Sequence, residues 1–218
     1  MKKVMYESLG YGSRIYQVFL ILCCLSISSA YAEQHPFQQL KSFLASTRSL
    51  TANFKQVTLD ENNQAIQSSE GLFYLSRPGK FRWSYQTPYI QEIVSAQGKV
   101  YFYDADLEQV TIKNMDDSFG STPALLLSGE IALEANFSLQ EQGIDEGLQW
   151  IKLTPKKDES GFNYILIGLD NGSIGGMELS DNFGQLTRIY FSNVKKNISI
   201  EKQIFEFSVP AGVDVFEN

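Results

Sequence analysis

The sequence predicts a mainly β protein: one strongly curved antiparallel sheet of roughly ten strands, with two short apolar helices packed on it. Short runs in which apolar and polar residues alternate recur along most of the chain. Gly, Asn and Asp turns separate these runs, and apolar residues at helical spacing stand in only two places.

Residues 1–32 are read as a secretory signal peptide and set apart from the fold. Lys2, Lys3 and Arg14 form a basic start, Val18-Phe-Leu-Ile-Leu-Cys-Cys-Leu25 an apolar centre, and Ala30-Tyr-Ala32 a small-residue site that puts cleavage after Ala32. The apolar run falls short of the about 20 residues that a permanent membrane span needs. Cys23 and Cys24 both lie inside this segment, so the expected mature chain, residues 33–218, has no cysteine for a disulfide, a thiolate nucleophile or a metal. Leu22 stands where a lipoprotein signal has Gly or Ala before its cysteine, so lipidation is not expected.

Pro36 suits a first helical position, and Phe37, Leu40 and Leu44 follow at helical spacing with Phe43 beside them. From Ser49 the period changes to two. Leu50, Ala52 and Phe54 alternate with polar residues, Asp60-Glu-Asn-Asn63 reads as a turn, and Gly71–Leu75 returns as the second strand of a hairpin. The clearest alternation is Lys80-Phe-Arg-Trp-Ser-Tyr85, with Phe81, Trp83 and Tyr85 on one face. Further strands are expected at 90–95, 99–103, 109–113, 136–140, 148–154, 164–168, 177–179, 184–192 and 204–209, with turns at Gln97-Gly98 and Asp170-Asn-Gly172. Between Ser118 and Glu130 the pattern breaks. Thr122 can cap a second helix, Pro123 can open it, and Ala124-Leu-Leu-Leu-Ser128 continues it. No repeat, low-complexity tract or linker divides the mature chain, which is of single-domain size. The helices must bury their apolar faces, and the hollow of a curved sheet is where they can.

Several chemistries are poorly supplied. Taking Lys2, Lys3, Arg14 and Glu7 away from 18 basic and 25 acidic residues leaves 15 against 24, a net charge of −9. An acidic chain without clustered Lys and Arg is a poor partner for nucleic acid. The single histidine, His35, stands at the mature N-terminus, so neither a histidine-dependent catalytic triad nor a histidine-ligated metal is expected. Asp104, Asp106 and Glu108, like Asp116 and Asp117, fall in turns as solvated carboxylates do. The expectation is a protein that is not an enzyme and carries no metal or cofactor.

What the chain has in excess is apolar bulk on strand faces, including Phe54, Phe73, Phe81, Trp83, Phe102, Trp150 and Phe207. Such residues can fill a core or line a cavity, and composition does not choose between the two. The stretch Ser76-Arg-Pro-Gly-Lys-Phe-Arg-Trp83 is more telling. It places Arg77 at a sheet rim, where a guanidinium can donate to helix-end carbonyls and fasten a short apolar helix.

On these residues the chain resembles the periplasmic outer-membrane lipoprotein carrier proteins, the LolA family. The similarity is carried in order by Phe54-Lys-Gln56, Gly71-Leu-Phe73, the Arg77-Pro-Gly-Lys-Phe-Arg-Trp83 block with Pro88 after it, Val94–Gly98, Val100–Asp104, Leu107–Val110 and Thr122–Leu127. The resemblance implies an incomplete, half-open antiparallel β-barrel of about eleven strands, covered by a lid of short α-helices. It implies a periplasmic chaperone, acting as a monomer, that accepts lipoproteins from an inner-membrane ATP-driven releasing complex. Their acyl chains would be shielded in an apolar cavity and delivered to an outer-membrane lipoprotein receptor. The residue matching the family's lid latch is Arg77. Phe81 matches a phenylalanine tied to transfer, and an acidic replacement there is expected to spoil transfer while the chain still folds. Trp83, Phe54 and Phe73 would line the cargo cavity, and Leu125, Leu126 and Leu127 would belong to the lid.

Two other readings use the same fold. The lipidated receptor of that pathway needs a lipid-bearing cysteine that Leu22-Cys23 does not suit. A periplasmic sensor or scaffold would bind a protein partner with its half-barrel.

Overall fold

The computed structural model describes residues 35–115, 124–129, 132–157 and 161–217. The expected signal segment, Asp116, Asp117, Thr122 and Pro123 lie outside these. The chain runs α1 (Pro36–Ser46), β1 (Ser49–Leu59), β2 (Ala65–Ser76), β3 (Lys80–Thr87), β4 (Gln91–Ala96), β5 (Lys99–Asp104) and β6 (Gln109–Asn114). It continues through α2 (Ala124–Ser128), α3 (Leu133–Asn136), β7 (Phe137–Asp145), β8 (Leu148–Pro155), β9 (Phe162–Asp170), β10 (Ser173–Asp181), β11 (Leu186–Lys196), a 3-10 turn (Lys202–Phe205) and β12 (Asp214–Glu217).

Pro36 opens α1, as its preset φ and missing N–H allow, and the His35 carbonyl accepts from the N–H of Gln38 at 2.7 Å. Leu40 and Phe43 are buried on one face of this helix. The polar turn after β1 closes on Asp60, whose Oδ1 accepts the N–H groups of Asn62 and Gln64 at 2.9 and 2.8 Å. Asn171-Gly172 joins β9 to β10 with both residues at positive φ, the pairing that a tight hairpin requires.

Among the described residues, twelve strands form one sheet in the order β12-β6-β5-β4-β3-β2-β1-β11-β10-β9-β8-β7. Its two ends, β7 and β12, do not pair, so the barrel stays open. Neighbours are antiparallel except β12, which runs parallel to β6 from Asp214 opposite Gln109. Besides α3, a short helix ahead of β7 that the sequence reading did not include, two strands differ from that reading. The strand expected at 204–209 is absent: Lys202–Phe205 is a 3-10 turn, and the segment packs flat on the back of the sheet instead of pairing at an edge. There the Phe207 ring lies 5.2 Å from Tyr101, and Arg82 Nη1 donates to the Ile204 carbonyl at 3.2 Å. The chain thereby crosses the back and adds β12, a strand beyond the expected eleven.

One face of the sheet is covered by the helices and carries a continuous apolar core. Its strand members come mainly from β1–β3 and β8–β11, a contiguous run that meets at the β1–β11 pairing, and include Phe73, Trp83, Ile151, Ile167, Met177 and Phe191. Trp83 on β3 and Phe191 on β11 are three strand spacings apart, about 14 Å on a flat sheet. Their ring centroids are 6.0 Å apart, so the sheet curls toward the helices.

Candidate functional site

The inner face is an aromatic wall. Alternation along β3 sends Phe81, Trp83 and Tyr85 to this face and Arg82 and Ser84 to the back, where both hydrogen-bond Glu92. The Trp83 ring is 4.8 Å from Phe73 and 5.1 Å from Phe54, and Phe54 meets Tyr85 edge-on at 5.0 Å. Gly71 stands directly opposite Phe54 on β2. A methyl group there would lie 1.9 Å from the Ser84 carbonyl oxygen and 2.9 Å from the Phe54 ring, so a glycine is what lets strand and ring approach. Burial holds the Tyr85 phenol well above its usual pKa, and its hydroxyl finds Gln56 Oε1 at 3.0 Å.

Arg77 sits in the turn between β2 and β3, and its guanidinium reaches both α1 and α2. Nε donates to the Leu127 carbonyl at 2.8 Å, and Nη1 donates to the Thr47 carbonyl at 2.9 Å and to the Leu44 carbonyl. The Leu44 and Thr47 carbonyls lie at the C-terminal end of α1, where the last turn leaves acceptors unpaired and the helix dipole favours a cation. The guanidinium also lies over the Phe43 ring, 5.6 Å from its centroid. Burial lowers the Arg77 pKa to about 10, which leaves it charged at neutral pH.

The surroundings hold this turn in place. The Arg77 N–H donates to the Arg48 carbonyl at 2.8 Å, the Gly79 N–H to the Ser128 carbonyl at 3.3 Å, and the Ser95 hydroxyl to the Gly79 carbonyl. Gly129 ends α2 at φ +85°, and a side chain there would begin 3.2 Å from Arg77 Cδ. Outside this fastening, a groove of about 680 Å³ runs between α1 and the α2–α3 segment. Leu40, Leu44, Leu126 and Leu133 line it, with Lys41 and Glu134 paired across it at 2.6 Å.

The structure therefore brings the sequence-selected residues together. Phe54, Phe73, Phe81 and Trp83 are buried on the inner face, and Leu125, Leu126 and Leu127 are buried in α2, one layer of helix against one wall of rings. Phe81 is 0 % exposed, so an acidic residue there would bury an unpaired charge; its expected tolerance by the fold does not survive this placement. Phe102 packs at the margin of the core, whereas Trp150 and Phe207 lie on the back of the sheet. Sequence reasoning put Tyr85 on the face of Phe81 and Trp83, but it did not single out the Leu44 and Thr47 carbonyls at the end of α1 as the arginine's acceptors, nor Phe191 as part of the wall. The Ile189/Phe191 alternation on β11 was a signal for one of these; backbone acceptors give none. His35 precedes α1 on the surface, 3.8 Å from Glu141, away from the wall.

An open antiparallel sheet, curled round an apolar face and covered by helices that one arginine fastens, defines a half-barrel of the kind that can enclose an apolar ligand. The family model described as "Outer membrane lipoprotein carrier protein LolA" matches residues 45–208, and the chain belongs to this family. It is 59 % identical over 203 residues to the outer-membrane lipoprotein carrier protein of Methylococcus capsulatus, covering 93 % of this chain and 97 % of that one. To the protein of the same description from Nitrosospira multiformis it is 45 % identical over 177 residues, 81 % of this chain and 86 % of that one. Among solved structures, an uncharacterized conserved protein from Thermus thermophilus shares the fold at a TM-score of 0.51 and 12 % identity, over 84 % of this chain and 96 % of that one.

Proposed function

We propose that this chain is a periplasmic chaperone for lipoproteins, which holds their acyl chains between the aromatic inner face of its sheet and its helices. The single observation that carries the reading is Arg77, which joins a sheet turn to the carbonyls of two separate helices above a buried apolar wall. Arg77 is the latch; α1 and α2, with Leu125, Leu126 and Leu127, are the lid. Phe54, Phe73, Phe81 and Trp83 are the surface that acyl chains meet once the lid lifts. In the closed state the lid's own leucines occupy that surface, so cargo and lid compete for the same apolar wall. The chain does its work by binding and not by catalysis, and it uses no metal or cofactor.

Residues 1–32 direct export and are cleaved after Ala32, leaving residues 33–218 as a monomeric carrier domain in the periplasm. Exposing one acyl chain of about 16 carbons to water costs roughly 13 kcal/mol, and two or three chains exceed what non-covalent binding supplies. A passive carrier therefore takes its cargo from an ATP-driven releasing complex at the inner membrane and passes it to an outer-membrane receptor. Native mass spectrometry of residues 33–218 with a triacylated lipoprotein and with its unacylated form tests this. A one-to-one complex with the acylated form alone is expected; equal binding of both forms would replace the carrier by a scaffold that recognises protein.

A further inference from the structure

Trp83 has a property that a purely apolar wall does not need. Its indole is 1 % exposed, and its Nε1–H is buried with no hydrogen-bond partner among the described residues. Of its ring neighbours, Phe54, Phe73 and Phe191 offer π faces and no lone-pair acceptor, and Tyr85, stacked at 6.5 Å, has its hydroxyl on Gln56 and not on the indole. A buried donor left without a strong acceptor is a standing cost to the closed state, since its desolvation is not repaid. A weak contact of N–H with a neighbouring π face softens that cost without matching a carbonyl. Phenylalanine at this position would keep an aromatic ring at the wall without carrying the donor. The donor therefore has its use in another state, in which something other than the lid lies against the wall.

We propose that Trp83 is a specificity residue for cargo: when the lid lifts and acyl chains replace it, the indole N–H donates to the carbonyl of an ester-linked acyl group. The inference rests on the carrier reading above and narrows its ligand from apolar chains in general to acyl esters. The chemistry fits the place. Hydrocarbon satisfies the phenylalanine rings around Trp83, and the ester is the first strong acceptor met along such a chain. Because the donor is already stripped of water in the closed state, the bond forms without a fresh desolvation penalty on the protein side. Two chains of equal length, one attached through an ester and one through an ether, are thereby told apart by a wall that is otherwise indifferent to them.

The test pairs two lipids with three proteins. The lipids are a lipopeptide with two palmitoyl chains ester-linked to its glyceryl-cysteine, and the same peptide with hexadecyl chains in ether linkage. The proteins are residues 33–218 as they stand, the Trp83→Phe variant, and a chain with β-(3-benzothienyl)alanine at position 83, which keeps the indole's shape and lacks the N–H. The unaltered protein should bind the ester form about 3- to 10-fold more tightly than the ether form, the factor one neutral hydrogen bond supplies. Both replacements should bring that ratio close to one, the benzothienyl protein by weakening the ester complex. The benzothienyl protein should melt no lower than the unaltered one, which separates loss of the donor from loss of packing. An unaltered protein that binds ester and ether alike, or a benzothienyl protein that keeps the full preference, overturns the assignment. If neither lipid binds the unaltered protein, the carrier reading falls and the assignment with it.

Discussion

Replacing Arg77 by leucine removes a side chain that ties the β2–β3 turn to both α1 and α2. The substitution keeps an apolar stem against Phe43 and deletes two well-formed charge-assisted bonds, at 2.8 Å to Leu127 and 2.9 Å to Thr47, besides the bond to Leu44. Bonds of this kind contribute about 1.5–3 kcal/mol each. The lowered pKa of Arg77 reports that part of this is consumed in stripping water from the guanidinium, and leucine regains that part. The closed lid should lose about 2–4 kcal/mol, a shift of about 30- to 700-fold toward the open state. The sheet has no share in these bonds beyond the turn itself. Hydrogen exchange of residues 33–218, followed by peptide mass spectrometry, should therefore show amides of residues 36–46 and 124–128 exchanging faster by that factor. Strands β1–β3 and β8–β11 should keep their protection. The variant should fold, yet be defective in the cycle of taking up and releasing acylated lipoprotein in a two-membrane reconstitution. Unchanged exchange in both helices would show that packing, and not the arginine, holds the lid. Equal acceleration in helices and core strands would show a structural residue of the whole domain.

Gly129→Ala puts a methyl group 3.2 Å from Arg77 Cδ in a backbone at φ +85°, so it should cost about 1 kcal/mol and loosen the same two helices, read again by their exchange. Gly71→Ala should be far more damaging, because its methyl group would overlap the Ser84 carbonyl at 1.9 Å; a loss above about 2 kcal/mol in urea unfolding is expected, with β2–β3 losing protection first. Tyr85 ionises near pH 10 when unfolded and well above it in the fold, so the folded chain holds the extra proton and stability should fall as pH rises above 10. Tyr85→Phe should flatten that alkaline decline while costing about 1 kcal/mol at neutral pH through the lost bond to Gln56, as urea midpoints at pH 7 and pH 11 would show.

The parts that periodicity controls were legible in the sequence. The spacing of Phe37, Leu40 and Leu44 with Pro36 before them gave α1, and the strict alternation through Phe81, Trp83 and Tyr85 gave both β3 and the inner face of its side chains. Position 204–209 misled because Phe205 and Phe207 alternate as they would in a strand, while their partners are the back of a sheet formed far upstream. β12 left no trace because all four of its residues are exposed, so no buried face imposes a pattern on them. Arg77 could be singled out by its place beside Pro78-Gly79, but its acceptors are main-chain carbonyls, which any residue supplies. The donor on Trp83 was written in the residue type; that it would be left without an acceptor depends on which neighbours the curl of the sheet brings to it.

The unpaired ends of the sheet bear on how much the interior can hold. In a closed barrel, strand number and stagger fix the diameter, and widening means breaking a ladder of hydrogen bonds. Here β7 and β12 end the sheet without joining, so every existing ladder can persist while the curl relaxes and the two edges draw apart. Room inside is then limited by the bending stiffness of a twelve-stranded ribbon. A wall of that kind can take up one, two or three chains by unrolling a little further for each.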